Sequence, residues 1–232
     1  MLSTKTDRTG ARGGDDAVPR GSIHLVLGPM ASGKSLQLLS LADAEQTHTP
    51  PVAGEVMYIG SRMNTRDGGF ITSRAFGGGM VGVKLTASVD RLADVVHHSA
   101  FEAARILCVD ELHMFLGAAE DLKMLAFTYR RTVIAAGLYA DKLNVPFTEI
   151  ATCIARATST VHMQARCVVC SRRCACTRAR IKGGGDTDRF VTSAVDVEKT
   201  GGTLVVDNSD SPLVYEPCCV EHHPAETPSG KA

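Results

Sequence analysis

Apolar runs and amphipathic segments alternate along the first two thirds of the chain. Short apolar runs bounded by glycine, proline or charged residues are typical of buried strands, and they predict strands at residues 23–27, 55–59, 81–85, 105–109 and 132–136. Apolar positions three or four residues apart predict helices at residues 34–44, 87–104 and 116–129. The stretch 63–79 is rich in Gly, Arg and Thr, and it predicts an exposed loop.

This alternation predicts an α/β fold, in which a mostly parallel sheet is flanked by helices. Beyond about residue 158 the composition changes and becomes rich in Cys and Arg. We therefore predict one α/β domain at residues 21–158 and a small subdomain at residues 159–223. Disordered tails are expected at residues 1–20 and 224–232.

Composition and charge exclude several classes of partner. The chain has 232 residues, a formal net charge of zero and no Trp, so nothing global attracts nucleic acid or an anionic membrane. It contains no run of about 18 apolar residues, so no transmembrane helix is expected. The N-terminal residues lack the apolar segment of a secretory signal, and Asp7, Asp15 and Asp16 disfavour a mitochondrial transit peptide. We expect a cytoplasmic protein.

The segment that joins the first predicted strand to the first predicted helix has the P-loop pattern G-x-x-x-x-G-K-[ST]. Its residues are Gly28, Pro29, Met30, Ala31, Ser32, Gly33, Lys34 and Ser35. Such a loop turns its backbone N–H groups toward phosphate oxygens, at the positive end of the following helix. Lys34 is expected to reach the β- and γ-phosphates of ATP, and Ser35 to bind Mg²⁺. A chance glycine turn is the alternative, but the flanking strand and helix favour a P-loop NTPase-like sheet.

Two carboxylates, Asp110 and Glu111, follow the apolar run 105–109. Ligands of open α/β sheets bind at the carboxyl ends of the strands. We expect Asp110 to hold Mg²⁺ and Glu111 to act as a general base on a substrate hydroxyl, with a solvated acidic turn as the alternative. With Leu112 and His113 the pair also matches the DExH box of helicases, but a helicase motor needs two P-loop lobes and this chain has room for one.

Of the eight cysteines, six lie between Cys167 and Cys219, which favours a metal site over disulfides in a chain without a secretory signal. Cys167 with Cys170, and Cys219 with His222, form two half-sites of the kind that bind tetrahedral Zn²⁺. A closed set of four ligands is structural, and it would pin the C-terminal segment to the domain. Free buried cysteines are the alternative. The competing ligands are Cys174, Cys176, Cys218 and His223.

These features, in this order, resemble the type II thymidine kinase family over about residues 21–223. Beyond the P-loop and the acidic pair, the resemblance rests on the segments Asn64-Thr65-Arg66, Gly137-Leu138 with Asp141, Pro146-Phe147, and 161–170 with Thr177, Tyr215, Cys219 and His222. The Gly28-Pro29-Met30 sequence before Ser32-Gly33-Lys34 is more specific than the general P-loop pattern.

The resemblance implies ATP-dependent phosphorylation of the 5′-hydroxyl of thymidine or deoxyuridine, a step of nucleotide salvage for DNA synthesis. By it Glu111 is the catalytic base, and Arg66, Asp110 and His113 join the P-loop in binding the cofactors ATP and Mg²⁺. A "lasso" between the zinc half-sites would close over the nucleoside. The implied pocket residues are Met30, Leu138, Val205, Val206, Asp207 and Tyr215. The family is usually a cytosolic homotetramer, and no nucleic-acid or membrane partner is implied.

Several positions depart from the family's pattern. The sequence has Ala31 for Phe, Asn64 for Asp, Arg74 for His, His113 for Gln, Tyr139 for Asp, Lys142 for an aromatic residue that stacks on the base, and Asp207-Asn208 for Gly-Gly. Phosphate handling is therefore predicted to be intact, while base recognition is predicted to be altered.

Two other functions follow from these departures and from the charge pattern. The altered base pocket is compatible with a degenerate kinase that binds nucleotide and serves as a regulatory subunit. The Asp-Glu-Leu-His box is compatible with a zinc-containing ATPase that acts on nucleic acid. That second alternative also uses the arginines Arg166, Arg172, Arg173, Arg178 and Arg180.

Overall fold

The computed structural model describes residues 21–48, 55–65, 67–74, 80–182, 190–199 and 211–225. The predicted tail at residues 1–20, and all but the first two residues of the tail at 224–232, lie outside these ranges. In chain order the strands are β1 Ser22–Leu27, β2 Glu55–Ser61, β3 Phe70–Arg74, β4 Met80–Lys84, β5 Ala87–Val89, β6 Ala104–Val109, β7 Thr132–Gly137, β8 Ser159–His162, β9 Ala165–Arg166, β10 Arg173–Cys174, β11 Cys176–Ile181 and β12 Leu213–Cys218.

The helices range from a single turn to the 15 residues of α1. The α-helices are α1 Lys34–His48, α2 Ala118–Lys123, α3 Thr148–Arg156 and α4 Ala194–Lys199. Short 3₁₀ helices occupy Leu92–His97, Leu112–Met114 and Val220–His222, and α2 continues into a π-helical turn at Met124–Thr128. No helix in the described ranges combines the length and hydropathy of a membrane span.

The central sheet has six strands in the order β5-β2-β6-β7-β1-β8, and every neighbouring pair is parallel. The prediction of an α/β fold with a mostly parallel sheet is confirmed. Because all six strands run in one direction, the segments that follow β1, β6 and β7 leave the sheet at the same edge. The P-loop and the acidic pair therefore share one edge of the sheet, although they are 75 residues apart in sequence.

Two apolar layers cover the faces of this sheet. Successive strand residues point to opposite faces, so β7 sends Val133 to one layer and Ile134 to the other. The first layer also contains Leu122 of α2 and Ile150 of α3, and the second contains Leu38 of α1. The buried strands have near-continuous apolar sequences because both faces are covered.

The predicted exposed loop at residues 63–79 is wrong in its second part. Phe70–Arg74 forms β3, which pairs antiparallel with β4. Ile71 of β3 is 1% exposed and packs on the α1 side of the sheet. The Gly- and Arg-rich composition predicted a loop because β3 has little apolar pattern, and its burial rests on Ile71.

The predicted helix at residues 87–104 is also wrong. Ala87–Val89 is an edge strand, Leu92–His97 is a 3₁₀ helix, and Ala104 already begins β6. The buried Leu92 and Val95 are three residues apart, which fits the three-residue turn of a 3₁₀ helix as well as it fits an α-helix. The other predicted helices and all five predicted strands occur, with shifted ends.

The C-terminal part of the chain is built from two small antiparallel pairs, β9 with β10 and β11 with β12. The turn between β9 and β10 packs with the cysteine-rich ends of β11 and β12, whereas their other ends pack with α4. β8, which begins at the predicted domain boundary, pairs with β1 in the central sheet. The predicted division into two domains stays a prediction.

Candidate functional site: P-loop, acidic pair and Cys3His cluster

The P-loop connects β1 to α1 in a tight curl. Ala31 and Gly33 have positive φ angles of 57° and 84°, so the chain reverses its curvature twice within three residues. A Cβ atom on Gly28 would lie 2.7 Å from Ser32 Oγ and 2.8 Å from the Met163 carbonyl oxygen. Only glycine fits at position 28, because Met163, the residue that follows β8, approaches the loop so closely there.

Two polar side chains of the loop are buried where a phosphate group would lie. Lys34 is 9% exposed, and its Nζ donates a hydrogen bond to the Pro29 carbonyl at 2.7 Å. Ser32 Oγ is buried and has no hydrogen-bond partner among the described residues. An unsatisfied buried hydroxyl is costly, and a phosphate oxygen would satisfy it. The loop therefore fits the phosphates of a nucleotide.

The acidic pair lies against the first turn of α1. Ser35 Oγ donates to Asp110 Oδ2 at 3.4 Å, and the backbone N–H of Glu111 donates to Asp110 Oδ1 at 3.0 Å. The Asp110 backbone N–H in turn donates to the Ile59 carbonyl on β2 at 3.0 Å. Serine and aspartate oxygens this close together are a ligand set that suits Mg²⁺. The structure thus brings Ser35 and Asp110 together as the motifs predict.

Glu111 has a left-handed backbone conformation, with φ of 53°. That region is unfavourable for a residue with a Cβ atom, and such strain is found at functional sites. Its Oε2 lies 3.6 Å from Nδ1 of His113, and the backbone N–H of Leu138 donates to the same Nδ1 at 3.3 Å. Three residues predicted for the site, Glu111, His113 and Leu138, are therefore neighbours.

The C-terminal part of the chain reaches the P-loop through Thr177 of β11. Thr177 Oγ1 accepts a hydrogen bond from the backbone N–H of Met30 at 3.0 Å. On its other side the Thr177 carbonyl accepts from Nε2 of the fully buried His223 at 3.1 Å. The sequence indicated Thr177 only as part of the zinc region, and no local pattern could reveal a contact across 147 residues.

The predicted zinc ligands converge. Ligand atoms of Cys167, Cys170, Cys219 and His222 all lie within 4.8 Å of one another. Cys170 Sγ is 3.8 Å from Cys219 Sγ, and His222 Nδ1 is 3.7 Å from Cys167 Sγ and 3.1 Å from Cys219 Sγ. Sulfurs bound at about 2.3 Å to a tetrahedral Zn²⁺ are about 3.8 Å apart. This Cys3His cluster could bind zinc.

The electrostatics of Cys167 suit a metal ligand. Burial disfavours its thiolate, but hydrogen bonds from the backbone N–H groups of Cys170, Cys219 and Val169, together with one from the Cys170 side chain, outweigh burial and lower the pKa of Cys167 to about 6. A thiolate is the form of cysteine that binds metal.

The competing ligands differ from the cluster residues in geometry. Burial raises the pKa of Cys174 to about 11 and that of Cys218 to about 12, but it also raises the pKa of the cluster residue Cys219. Cys174, Cys176 and Cys218 pack beside Cys167, yet their sulfurs are not among the ligand atoms that converge within the described residues. His223 donates from Nε2 to Thr177, and its Nδ1 accepts from the Ala225 N–H at 3.3 Å. Both ring nitrogens of His223 are thus used, and His222 is the histidine of the cluster.

The remaining predicted residues have different outcomes. Arg66, Val205, Val206 and Asp207 lie outside the described residues. Tyr215 lies on β12 and packs against a buried cluster around Val191 and Leu213.

Lys142 is 2% exposed, and burial lowers its pKa while the neighbouring Asp141 opposes the shift. The Lys142 side chain therefore does not extend into solvent. Leu143, the next residue, packs in the same cluster as Tyr215, so this segment lies beside β12. Tyr139, another departure from the family's pattern, donates its hydroxyl to the Ala175 carbonyl.

Several of the arginines considered as a nucleic-acid track are paired with carboxylates. Arg178 Nη2 lies 3.0 Å and Arg180 Nε 3.4 Å from the Glu216 carboxylate, and Arg172 pairs with Glu221. Arg178 also stacks on Phe190, with its guanidinium carbon 4.4 Å from the ring centroid. The ion pairs of Arg178 and Arg180 with Glu216 join β11 to β12, and the three ion pairs reduce the net positive charge on this surface.

Two comparisons with known proteins agree on one family. A family model described as thymidine kinase matches residues 21–223. The chain is also similar to "Thymidine kinase a" of Arabidopsis thaliana, with 27% identity over 180 residues that cover 72% of this chain and 71% of that protein. The P-loop, the acidic pair and the Cys3His cluster all lie within the range that the family model matches.

Proposed function

Since the chain belongs to the thymidine kinase family, whose members use ATP, we propose that it transfers the γ-phosphate of ATP to the 5′-hydroxyl of thymidine or deoxyuridine. The observation that carries the proposal is the contact of Ser35 Oγ with Asp110 Oδ2, because it sets the P-loop beside the acidic pair. A nucleotide bound in the loop would have its γ-phosphate beside Glu111. The resulting reaction supplies a precursor for DNA synthesis.

The P-loop residues hold ATP in this proposal. Backbone N–H groups and Ser32 Oγ bind phosphate oxygens, and Lys34 exchanges the Pro29 carbonyl for the β- and γ-phosphates. Ser35 and Asp110 would hold Mg²⁺, directly or through water, and the chemistry supplied there would be neutralisation of charge on the transferred group. Arg66 and His113 are assigned to the same side of the site by the resemblance.

Glu111 is proposed as the general base. Phosphoryl transfer needs a group that takes the proton of the attacking 5′-hydroxyl, while the protein positions both substrates. Glu111 is 13% exposed at its side chain, so it is reachable from the site yet shielded from bulk water. Its left-handed backbone turns the chain sharply at the end of β6.

The nucleoside pocket is proposed to lie between the P-loop and the base of the lasso. The backbone N–H of Met30 donates to Thr177, and that of Leu138 donates to His113. Tyr215 lies on β12. Val205, Val206 and Asp207 complete the proposed set. Lys142, buried beside this region, stands where the resemblance places a stacking aromatic residue, so a different preference among pyrimidine nucleosides is expected.

The Cys3His cluster is proposed to hold a structural Zn²⁺. Four protein ligands close the coordination shell, so the ion supplies no open position for chemistry. It would fix the turn between β9 and β10 to the segment that follows β12. The cytosolic homotetramer that the resemblance implies stays a prediction.

A direct test is to incubate the protein with ATP, Mg²⁺ and either labelled thymidine or labelled deoxyuridine, and to measure the monophosphate formed. Formation of the nucleoside monophosphate is expected with at least one of them. Absence of product with every pyrimidine deoxynucleoside, despite measurable ATP binding, would instead indicate a regulatory subunit. ATP turnover that depends on DNA or RNA would indicate an ATPase acting on nucleic acid.

A further inference from the structure

His113 lies between two parts of the candidate site, the turn that carries Glu111 and the end of β7. Its side chain is 5% exposed, and its ring packs on Phe147 with the centroids 5.3 Å apart. A Cβ atom on Gly137 would lie 3.3 Å from the His113 backbone nitrogen, so the turn and the strand end are in close contact. Both the backbone and the ring of His113 are held by packing, which fixes the direction of the ring nitrogens.

The hydrogen bond from the Leu138 N–H to His113 Nδ1 indicates which tautomer the neutral ring adopts. A neutral imidazole has one N–H and one acceptor nitrogen, so an accepting Nδ1 places the proton on Nε2. Glu111 Oε2 lies 3.6 Å from the same Nδ1. In this tautomer Nδ1 has no proton to donate to the Glu111 carboxylate.

We propose that His113, as the neutral Nε2–H tautomer, is a positioning residue that ties the Leu138 amide to the Glu111 turn. The inference rests on the proposed function, in which Glu111 takes the proton of the nucleoside and Leu138 lines its pocket. By accepting from Leu138, the ring sets the distance between the base and the pocket wall. An imidazolium would do the opposite, because its Nδ1–H would repel the Leu138 N–H and donate to Glu111.

The kinetic test compares two variants of the full-length protein. His113→Asn keeps an acceptor, since the Asn side-chain oxygen can occupy nearly the place of Nδ1, whereas His113→Leu fills similar volume without any acceptor. We expect His113→Leu to lower kcat about tenfold and raise the KM for nucleoside about fivefold, because a small displacement of a reacting group is costly. The resemblance groups His113 with the ATP-binding residues, but a ring whose Nδ1 is used by Leu138 acts on the nucleoside side instead, so the KM for ATP should stay within about twofold. His113→Asn, which restores an acceptor for Leu138, should recover kcat to within about threefold of wild type.

His97→Leu is the matched control, because His97 is exposed on the 3₁₀ helix Leu92–His97 and should tolerate the same change without loss of activity. Equal losses in His113→Leu and His113→Asn would overturn the positioning role. So would a parallel rise in the KM values for ATP and nucleoside, which a general loss of structure would produce.

A spectroscopic readout is independent of activity. In protein labelled with ¹⁵N at histidine, the His113 signals are identified by their absence from His113→Asn. The proposal predicts an unprotonated Nδ1 and a protonated Nε2 near neutral pH, and an Nδ1–H tautomer or an imidazolium would overturn it. If wild type phosphorylates no nucleoside, the proposed function fails, while this measurement still decides the state of His113.

Discussion

At the scale of single residues, Ser32 of the P-loop has a buried hydroxyl that a phosphate oxygen would satisfy. Its hydroxyl is buried in the P-loop, and its Oγ has no hydrogen-bond partner among the residues that the structure describes. An orphaned buried group costs about 1–3 kcal/mol, so the loop is less stable alone than with a phosphate oxygen at that position. The unsatisfied hydroxyl is thus a cost that nucleotide binding would remove.

Ser32→Ala is therefore expected to have opposite effects on the free and the bound protein. The thermal midpoint of the nucleotide-free protein should stay the same or rise, because the alanine leaves no orphaned hydroxyl. The Kd for ATP should rise about tenfold, as expected for the loss of one hydrogen bond to a charged group. Calorimetric melting and titration with ATP measure both quantities.

Ser88→Ala serves as the control, because Ser88 is an exposed residue of β5. It should change neither the melting temperature nor the affinity for ATP. An unchanged Kd in Ser32→Ala would argue against phosphate binding by this hydroxyl.

The sequence predicted which residues carry reactive or ligating groups better than it predicted what surrounds those residues in the fold. The P-loop and acidic-pair spacings predicted Ser35 and Asp110, which the structure places in contact. The sequence predicted His222 as the zinc ligand but left His223 as a competing one, because adjacent histidines look alike until their partners are known. The burial of Lys142 was equally invisible, since it depends on packing with segments far along the chain.

Among the elements, β11 connects the Cys3His cluster to the nucleotide loop. Its Thr177 accepts from the Met30 N–H through its side chain and from His223 through its carbonyl. Cys176, the preceding residue, pairs with Cys218 of β12, next to the cluster residue Cys219. One strand therefore contacts both the P-loop and the segment that carries the Cys3His cluster.

Thr177→Val tests this connection, because it keeps the shape of the side chain and removes the oxygen. The Met30 N–H then loses its acceptor, and the Kd for ATP should rise about five- to tenfold. Thr177→Ser retains the hydroxyl and should bind ATP within about twofold of wild type. Equal affinities for Thr177→Val and wild type, measured by titration calorimetry, would show that this contact does not shape the loop.

Elements could be predicted wherever the sequence had one dominant periodicity. The apolar runs of β1, β6 and β7 are buried on both faces, so their assignment was straightforward. The prediction of an α-helix at residues 87–104 was wrong because apolar residues three apart suit both an α-helix and a 3₁₀ helix. β3 was missed because a short strand with one buried residue, Ile71, carries almost no pattern.

For the whole molecule, the Cys3His cluster closes a long loop that begins at Cys170 and returns at Cys219. Zinc bound there would offset the entropy cost of closing this loop when the chain folds, and it would hold Cys170 and Cys219 together. We expect about one equivalent of zinc per chain, and a lower melting temperature with weaker ATP binding after chelation. Metal analysis and thermal melting before and after dialysis against a chelator measure these effects.

Paired histidine variants sharpen the zinc prediction. His222→Ala should retain less than about half an equivalent of zinc after dialysis against a chelator, because one of four ligands is lost. His223→Ala should retain zinc and lose stability instead, since it removes the bonds to Thr177 and Ala225. The reverse pattern of zinc content would assign the wrong histidine to the cluster.

Phosphoryl transfer to a nucleoside requires the loop, the acidic pair and the pocket to act together, and Glu111→Gln separates binding from chemistry. The measurement is the rate of nucleoside monophosphate formation in wild type and Glu111→Gln, alongside the Kd of each for ATP. With Glu111 as the base, the rate falls about 10²–10⁴-fold while the Kd for ATP changes by less than about twofold. A variant that keeps the full rate would contradict the assignment of Glu111 and, with it, the proposed mechanism.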